Sequence, residues 1–239
     1  MENLLFTGGT GFLGRTIKPI LEVDYVVTTC GITPEDEIRI NLAKEIPVLS
    51  KHFDVVLHAA GKAHVIPKTE DEKQLFFDVN YQGTVNLCAA LEKVGVPKSL
   101  VFISTVAVYG CESGDLITEE HPLDGDSPYA KSKIMAEDIA HILPLIAVKG
   151  GIYNVCDTFQ PSFGQIAESV ACQLGKSKPL NIPYWMAWCM AKVGDLLGSS
   201  APINSYKLEK MVKSLTFSNE KARKELNWEP MDVLANYKI

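Results

Sequence analysis

The segment that most constrains the fold is TGGTGFLG, Thr7 to Gly14, which ends an apolar run, NLLFTGG, close to the first residue of the chain. Its glycines fit both Gly-x-x-Gly-x-x-Gly (8, 11, 14) and Gly-x-Gly-x-x-Gly (9, 11, 14). A helical pattern, FLGRTIKPILE, opens directly after them. A strand that turns sharply into a helix needs residues without a Cβ, so that the chain can reverse and backbone can approach backbone. The helix start then presents free N–H groups and partial positive charge, which suit the phosphates of a dinucleotide. A plain tight turn is the alternative. The strand before and the helix after are the context that gives the glycine pattern its meaning.

The rest of the chain repeats this alternation. YVVTTC, DVVLHAAG and SLVFISTVAVYG read as buried strands, the last with its polar residues at the carboxyl end. VNYQGTVNLCAALEKVGV places Val79, Val85, Leu87 and Leu91 at helical spacing. Strands alternating with helices imply βαβ units, and the expected fold class is α/β: a Rossmann-type doubly wound parallel sheet with a smaller C-terminal lobe. The second part predicts a strand at GGIYNV and a helix over SFGQIAESVACQLG, capped by Ser162 and closed by Gly175. PYWMAWCMAKVGDLLG carries an apolar stripe (Trp185, Met186, Cys189, Met190, Val193, Leu196, Leu197), expected to pack in the core or against a subunit. SNEKARKELNW reads as a charged helix solvated on one side.

Composition narrows the partners. A net charge of −6 offers no basic surface to nucleic acid or anionic lipid. A small phosphate ligand stays compatible, because backbone amides can hold it. The six cysteines are scattered without Cys-x-x-Cys or a histidine at ligand spacing, so neither a metal site nor a disulfide framework is expected. With no signal peptide before the first strand and no 18-residue apolar run, the expectation is a cytoplasmic, reduced protein without integral membrane insertion.

SPYAKSK holds the chemistry. Tyr129 and Lys133 lie four apart and share a helix face, with Ser127 and Pro128 suited to the cap and first helical position. Interconverting an alcohol and a ketone needs a proton donor and acceptor at the oxygen. A phenol can serve, although free tyrosine ionises only near pH ~10. A neighbouring ammonium and a helix amino end both favour the phenolate. FISTVAVYG offers Ser104 and Thr105 as hydroxyls at the carboxyl end of a strand, where ligands of open α/β sheets bind. A Tyr–Lys pair alone is as well read as a surface pair; its company is what changes the reading.

TGGTGFLG, DVVLHAAG, VNYQGTVNL, FISTVAVYG and SPYAKSK, with GGIYNV and ARKELNWEP more weakly, together resemble the extended short-chain dehydrogenase/reductase family. Within it, the chain is similar to the NAD-dependent epimerase/dehydratase branch of nucleotide-sugar epimerases and 4-ketoreductases. The resemblance implies a catalytic acid/base at Tyr129, with Lys133 binding the nicotinamide ribose and Thr105 as the catalytic hydroxyl. It implies cofactor contacts at Gly8, Gly11, Phe12, Leu13, Gly14, Ala59, Ala60, Gly61 and Ser104. Asn80 matches an asparagine with a structural role, and His58 is expected to pack at its strand end. NAD(P) is the implied cofactor, a nucleotide-linked sugar the substrate, and a homodimer a compatible assembly. A non-catalytic NAD(P)-binding sensor or assembly protein of the same fold is the alternative.

Two departures stand out. The end of the second strand, VVTTCG, lacks the acid that such folds place roughly 20 residues beyond the glycines to bind the adenosine ribose. NADP therefore stands beside NAD, with Thr28, Thr29 or Cys30 at the ribose, and reduction is slightly favoured over epimerisation. STVAVYG shows none of the added acids expected beside the catalytic hydroxyl of a dehydratase. The second departure is spacing: only 20 residues separate Lys133 from Asn154, against several dozen more in relatives. The join falls near Glu137–Asp138, which divides a dinucleotide-binding part, 1–137, from a last sheet element and substrate lobe, 138–239. A segment omitted at 137/138 is the expectation, and a true internal deletion the alternative.

Overall fold

A computed structural model describes residues 1–142, 150–197, 201–230 and 232–236. The chain forms two compact units, Met1–Gly110 with Pro122–Gly151, and Cys111–His121 with Ile152–Ile239.

The first unit is built on a five-stranded parallel sheet of order β3-β2-β1-β4-β5. Its strands are β1 (Glu2–Thr7), β2 (Tyr25–Gly31), β3 (Ile38–Arg39), β4 (Val55–His58) and β5 (Ser99–Phe102). Leu4, Leu5, Phe6 and Thr7 are all buried, as a central strand covered on both faces requires. Leu5, Phe53, Val56, Leu87 and Leu91 form the main core, each side chain worth about 1.5–3 kcal/mol relative to exposure. The strand order turns at β1, with β2 on one side and β4 on the other, which opens a crevice at the carboxyl ends.

Helix α1 (Phe12–Leu21) follows the glycine turn. Helix α2 (Glu70–Phe76) runs through a π-helical turn (Phe77–Gln82) into α3 (Gly83–Val94). Helix α4 (Pro128–Ile142) starts at Ser127, whose Oγ accepts from the Ala130 amide at 3.1 Å. It continues through Glu137–Asp138 without a break; residues 143–149 lie outside the described residues.

In the second unit β6 (Gly114–Ile117) pairs in parallel with β7 (Leu215–Phe217), which explains why residues 111–121 group here. Helix α5 (Phe163–Gln173) has the expected start, a reciprocal capping box between Ser162 and Gln165, and Gly175 follows it at φ +64°. Helix α6 (Tyr184–Leu197), α7 (Ser205–Val212), α8 (Glu220–Leu226) and α9 (Val233–Asn236) complete the unit.

Three expectations are corrected. The buried strand expected over SLVFISTVAVYG stops at Phe102 with Ser99 and Val101 exposed, and Thr105 instead caps a 3-10 turn, Val106–Tyr109. GGIYNV forms no strand, because side chains replace the ladder: the Asn154 amide donates to Glu119 Oε1 at 2.6 Å and Asn154 Nδ2 to the Ile117 carbonyl at 3.2 Å. Of the two placements expected for the α6 stripe, core or subunit, the core is ruled out within its unit. Ala191 and Gly194 are its buried residues, while Trp185, Met190, Val193, Leu196 and Leu197 are exposed. Small residues let residues 201–203 come against α6, and the large ones face outward.

Candidate active site

The glycine turn is shaped by close backbone contact. Gly8 adopts φ +77°, and a Cβ there would lie 2.7 Å from the Ala60 nitrogen and 2.8 Å from the Ala59 carbonyl carbon. A side chain at Gly14 would meet the Gly8 carbonyl oxygen at 2.3 Å. The turn therefore rests on both the Ala59–Ala60 strand end and the first turn of α1. Gly11 is the N-cap and offers no side chain, so the opening amides of Phe12, Leu13 and Gly14 have no side-chain capping acceptor. Phe12 is 95% exposed, and Leu13 is exposed as well. Ungated amides above a glycine cradle fit a dinucleotide pyrophosphate.

Lys133 is the most constrained polar group of the site. Its ammonium donates to the Ile103 carbonyl at 2.8 Å, lies 4.4 Å from the Phe102 ring centroid, and stands 3.3 Å from where a Gly61 Cβ would be. Gly61 is thus the residue that leaves room for it. Burial lowers the Lys133 pKa to about 8, with the Glu137 carboxylate opposing that shift. Glu137 is itself buried one turn further along α4 and accepts a short hydrogen bond from Ser104 Oγ. Tyr129, half-buried on the same face, has its ring 6.1 Å from that of Phe76. Thr105 Oγ1 accepts from the Ala107 amide at 3.2 Å, which fixes its rotamer at the carboxyl end of β5. The α4 helix, which carries Tyr129 and Lys133, packs on both β5 and the 3-10 turn that Thr105 caps.

Asn80 sits in the π-helical turn and clamps α4. Its Oδ1 accepts from the Lys62 amide at 2.7 Å, and its Nδ2 donates to the Lys62 carbonyl at 3.1 Å and to Ser132 Oγ at 2.9 Å. A single π turn is a frequent companion of functional sites, because it turns one side chain out of helical register. His58, 1% exposed, is packed at its strand end.

The sequence reading misses acids near the ribose end. Thr28, Thr29 and Cys30 are all buried, and Thr29 Oγ1 is taken by the Glu37 amide at 3.2 Å. The loop after β2 instead brings carboxylates to the strand end. Glu37 Oε1 accepts from the Thr29 amide, and Asp36 lies against Gly31, with its Oδ2 holding Thr33. The cluster PEDE, two residues beyond the strand, is the signal that would have found them.

A glycine turn at the head of a parallel sheet, with a buried lysine and a half-buried tyrosine on α4 of the same unit, is the architecture of a dinucleotide-binding fold. Residues 4–144, more than half of the chain, match the NAD dependent epimerase/dehydratase family, and the chain belongs to it. It is 39% identical over 103 residues to UDP-glucose 4-epimerase 2 of Oryza sativa subsp. japonica, covering 43% of this chain and 25% of that protein. It is 33% identical over 147 residues to the N-acetyl-alpha-D-glucosaminyl-diphospho-ditrans,octacis-undecaprenol 4-epimerase of Escherichia coli O157:H7, covering 58% and 42%. Among solved structures it is similar to MoeE5 in complex with UDP-glucose and NAD, at 25% identity and TM-score 0.50, over 58% of this chain and 48% of that one. The chain spans less than half the length of these curated relatives. Among the described residues no helix is long and apolar enough to cross a membrane.

Proposed function

We propose that the chain catalyses NAD-dependent hydride transfer at a ring carbon of a nucleotide-linked sugar, with C4 epimerisation as the reaction. The observation that carries this reading is the Tyr129–Lys133 face of α4, with the Lys133 ammonium fixed between the Ile103 carbonyl, Phe102 and Gly61. The bound dinucleotide supplies the hydride acceptor. Tyr129, in the first turn of α4, takes the proton from the sugar hydroxyl and later returns it. Lys133 adds positive charge beside it and a donor for the ribose. Thr105, its rotamer fixed by the Ala107 amide, orients the sugar oxygen.

The names of the relatives support a 4-epimerase. The alternative, 4-ketosugar reduction with NADPH, rests on the absence of an acid within VVTTCG. Asp36 and Glu37 weigh against it, since carboxylates at the β2 end repel a 2′-phosphate. The test is conversion of UDP-glucose or UDP-N-acetylglucosamine to its C4 epimer by purified protein with NAD+. Tyr129→Phe should lower turnover by roughly 10²–10⁴ while leaving NAD+ binding intact. Tight NAD+ binding with no turnover on either sugar, and no effect of Tyr129→Phe on cellular function, would instead mark a non-catalytic binding protein.

A further inference from the structure

His58 lies in the centre of a hydrogen-bond chain that the proposed chemistry does not use. Its Nδ1 is 2.6 Å from Thr7 Oγ1 and its Nε2 is 2.9 Å from Thr84 Oγ1. The Thr84 hydroxyl donates its one proton to the Asn80 carbonyl at 2.6 Å, so towards His58 it can only accept. Nε2 must therefore carry a proton. Thr7 Oγ1 accepts from the Ala60 amide at 3.2 Å, and its own proton finds the bare Nδ1 of a neutral ring. Every link then has one donor and one acceptor, running from Ala60 through Thr7, His58 and Thr84 to Asn80. Thr7, His58, Asn80 and Thr84 are each at most 1% exposed.

The two ends are what give the chain meaning. At one end, Thr7 closes β1 just before the glycine turn, and Ala60 is the strand end against which Gly8 is pressed. At the other, Asn80 holds the Lys62 backbone and Ser132, and Ser132 Oγ donates to the Tyr129 carbonyl at 2.8 Å. Buried polar links of this kind are costly when half satisfied, so a change at one end is felt at the other.

We propose that His58, fixed as the neutral Nε2–H tautomer, is a positioning residue that couples the dinucleotide-binding turn to the helix carrying Tyr129. The coupling is the ordered chain itself, since Thr84 and His58 are each only 1% exposed and act through their neighbours. It rests on the cofactor reading but not on any particular sugar or reaction.

Two measurements on the full chain test it. In a ¹⁵N-labelled sample, the His58 ring, identified by its loss in His58→Gln, should show a protonated Nε2 and a bare Nδ1, unchanged between pH ~5.5 and ~8. A protonated Nδ1, or titration within that range, overturns the proposal. In the second, NAD+ affinity is measured for Thr7→Val, Thr84→Val and the double variant. Thr84→Val should weaken binding by about 3–10-fold although its own bonds go to His58 and Asn80, and Thr84→Ser should restore it to within about twofold. The double variant should fall short of the product of the single effects by about threefold or more; a simple product refutes the coupling. If the valine variants do not fold, the ring measurement on unaltered protein and Thr84→Ser still decide. Absence of NAD+ binding by the unaltered chain would sink the cofactor reading, and the ring measurement would then judge the hydrogen-bond chain alone.

Discussion

Replacing glycine by alanine inside a helix normally stabilises it, by about 1 kcal/mol, because alanine loses less backbone entropy on folding. At Gly14 the sign should reverse. The added methyl would sit 2.3 Å from the Gly8 carbonyl oxygen and 2.5 Å from the Gly9 carbonyl carbon and oxygen. These are backbone atoms of the turn, so no side chain can rotate aside, and the turn must retreat from α1 by about 1 Å to reach ordinary contact. Overpacking of this kind costs about 1–3 kcal/mol, which outweighs the propensity gain. Gly83, in the same unit at the start of α3, is the matched control. Its methyl would meet Leu42 Cβ at 3.6 Å and the Asp78 carbonyl at 3.8 Å, both comfortable distances. Urea denaturation should therefore show Gly14→Ala destabilised by about 1–2 kcal/mol and Gly83→Ala neutral or stabilised by up to about 1 kcal/mol. Because the displaced atoms belong to the proposed phosphate cradle, NAD+ affinity of Gly14→Ala should fall at least about tenfold, or 1.4 kcal/mol. If both variants shift stability in the same direction, or Gly14→Ala binds NAD+ within about twofold of the unaltered chain, the account of the turn is wrong.

Further predictions follow from the charged groups. The alkaline limb of kcat/KM against pH should lie near about 8, where the buried Lys133 ammonium loses its proton. Glu137 holds that pKa up, so Glu137→Gln should move the limb to lower pH; a limb that stays put would deny Glu137 any electrostatic hold on Lys133. His58 is driven down to about 3 by burial and, secondarily, by the Lys133 charge. A depressed pKa means that the unfolded chain takes up the proton first. Stability should therefore be complete above pH ~6.5 and fall by up to about 1.4 kcal/mol per pH unit below it, a slope that His58→Gln should flatten in acid denaturation curves. Burial raises the thiols of Cys30 and Cys88 to about 11 and 12, whereas Cys172 and Cys189 are exposed. Mass spectrometry after brief alkylation at neutral pH should find the latter pair labelled and the former pair untouched until the chain is unfolded.

What the sequence discloses follows the range of the interactions. The β1–turn–α1 unit is legible because its strand, glycines and helix lie within 21 residues, and the Tyr129–Lys133 face because it is set by one helical turn. The capping box at Ser162 is legible for the same reason. Burial of α6 is not, since an apolar stripe reports a tendency to be covered but not the partner, and in this unit Ala191 and Gly194 are the side taken. GGIYNV has the composition of a strand, yet pairing needs a neighbour with free groups, and Glu119 and Ile117 satisfy Asn154 by another route. The ribose-end acids are hidden by a loop that doubles back from Thr33 to Glu37, so that spacing along the strand places them wrongly. The His58 chain is the extreme case. Its links join residues 53, 51, 26 and 4 apart, and the clamp it ends on spans 52. The sequence marks Asn80 as structural and His58 as packed at its strand end, but nothing in it joins them to Thr7 and Thr84. Only the fold brings them into one line, and there the single proton of Thr84 is enough to fix the state of a ring that any sequence argument would leave free to titrate.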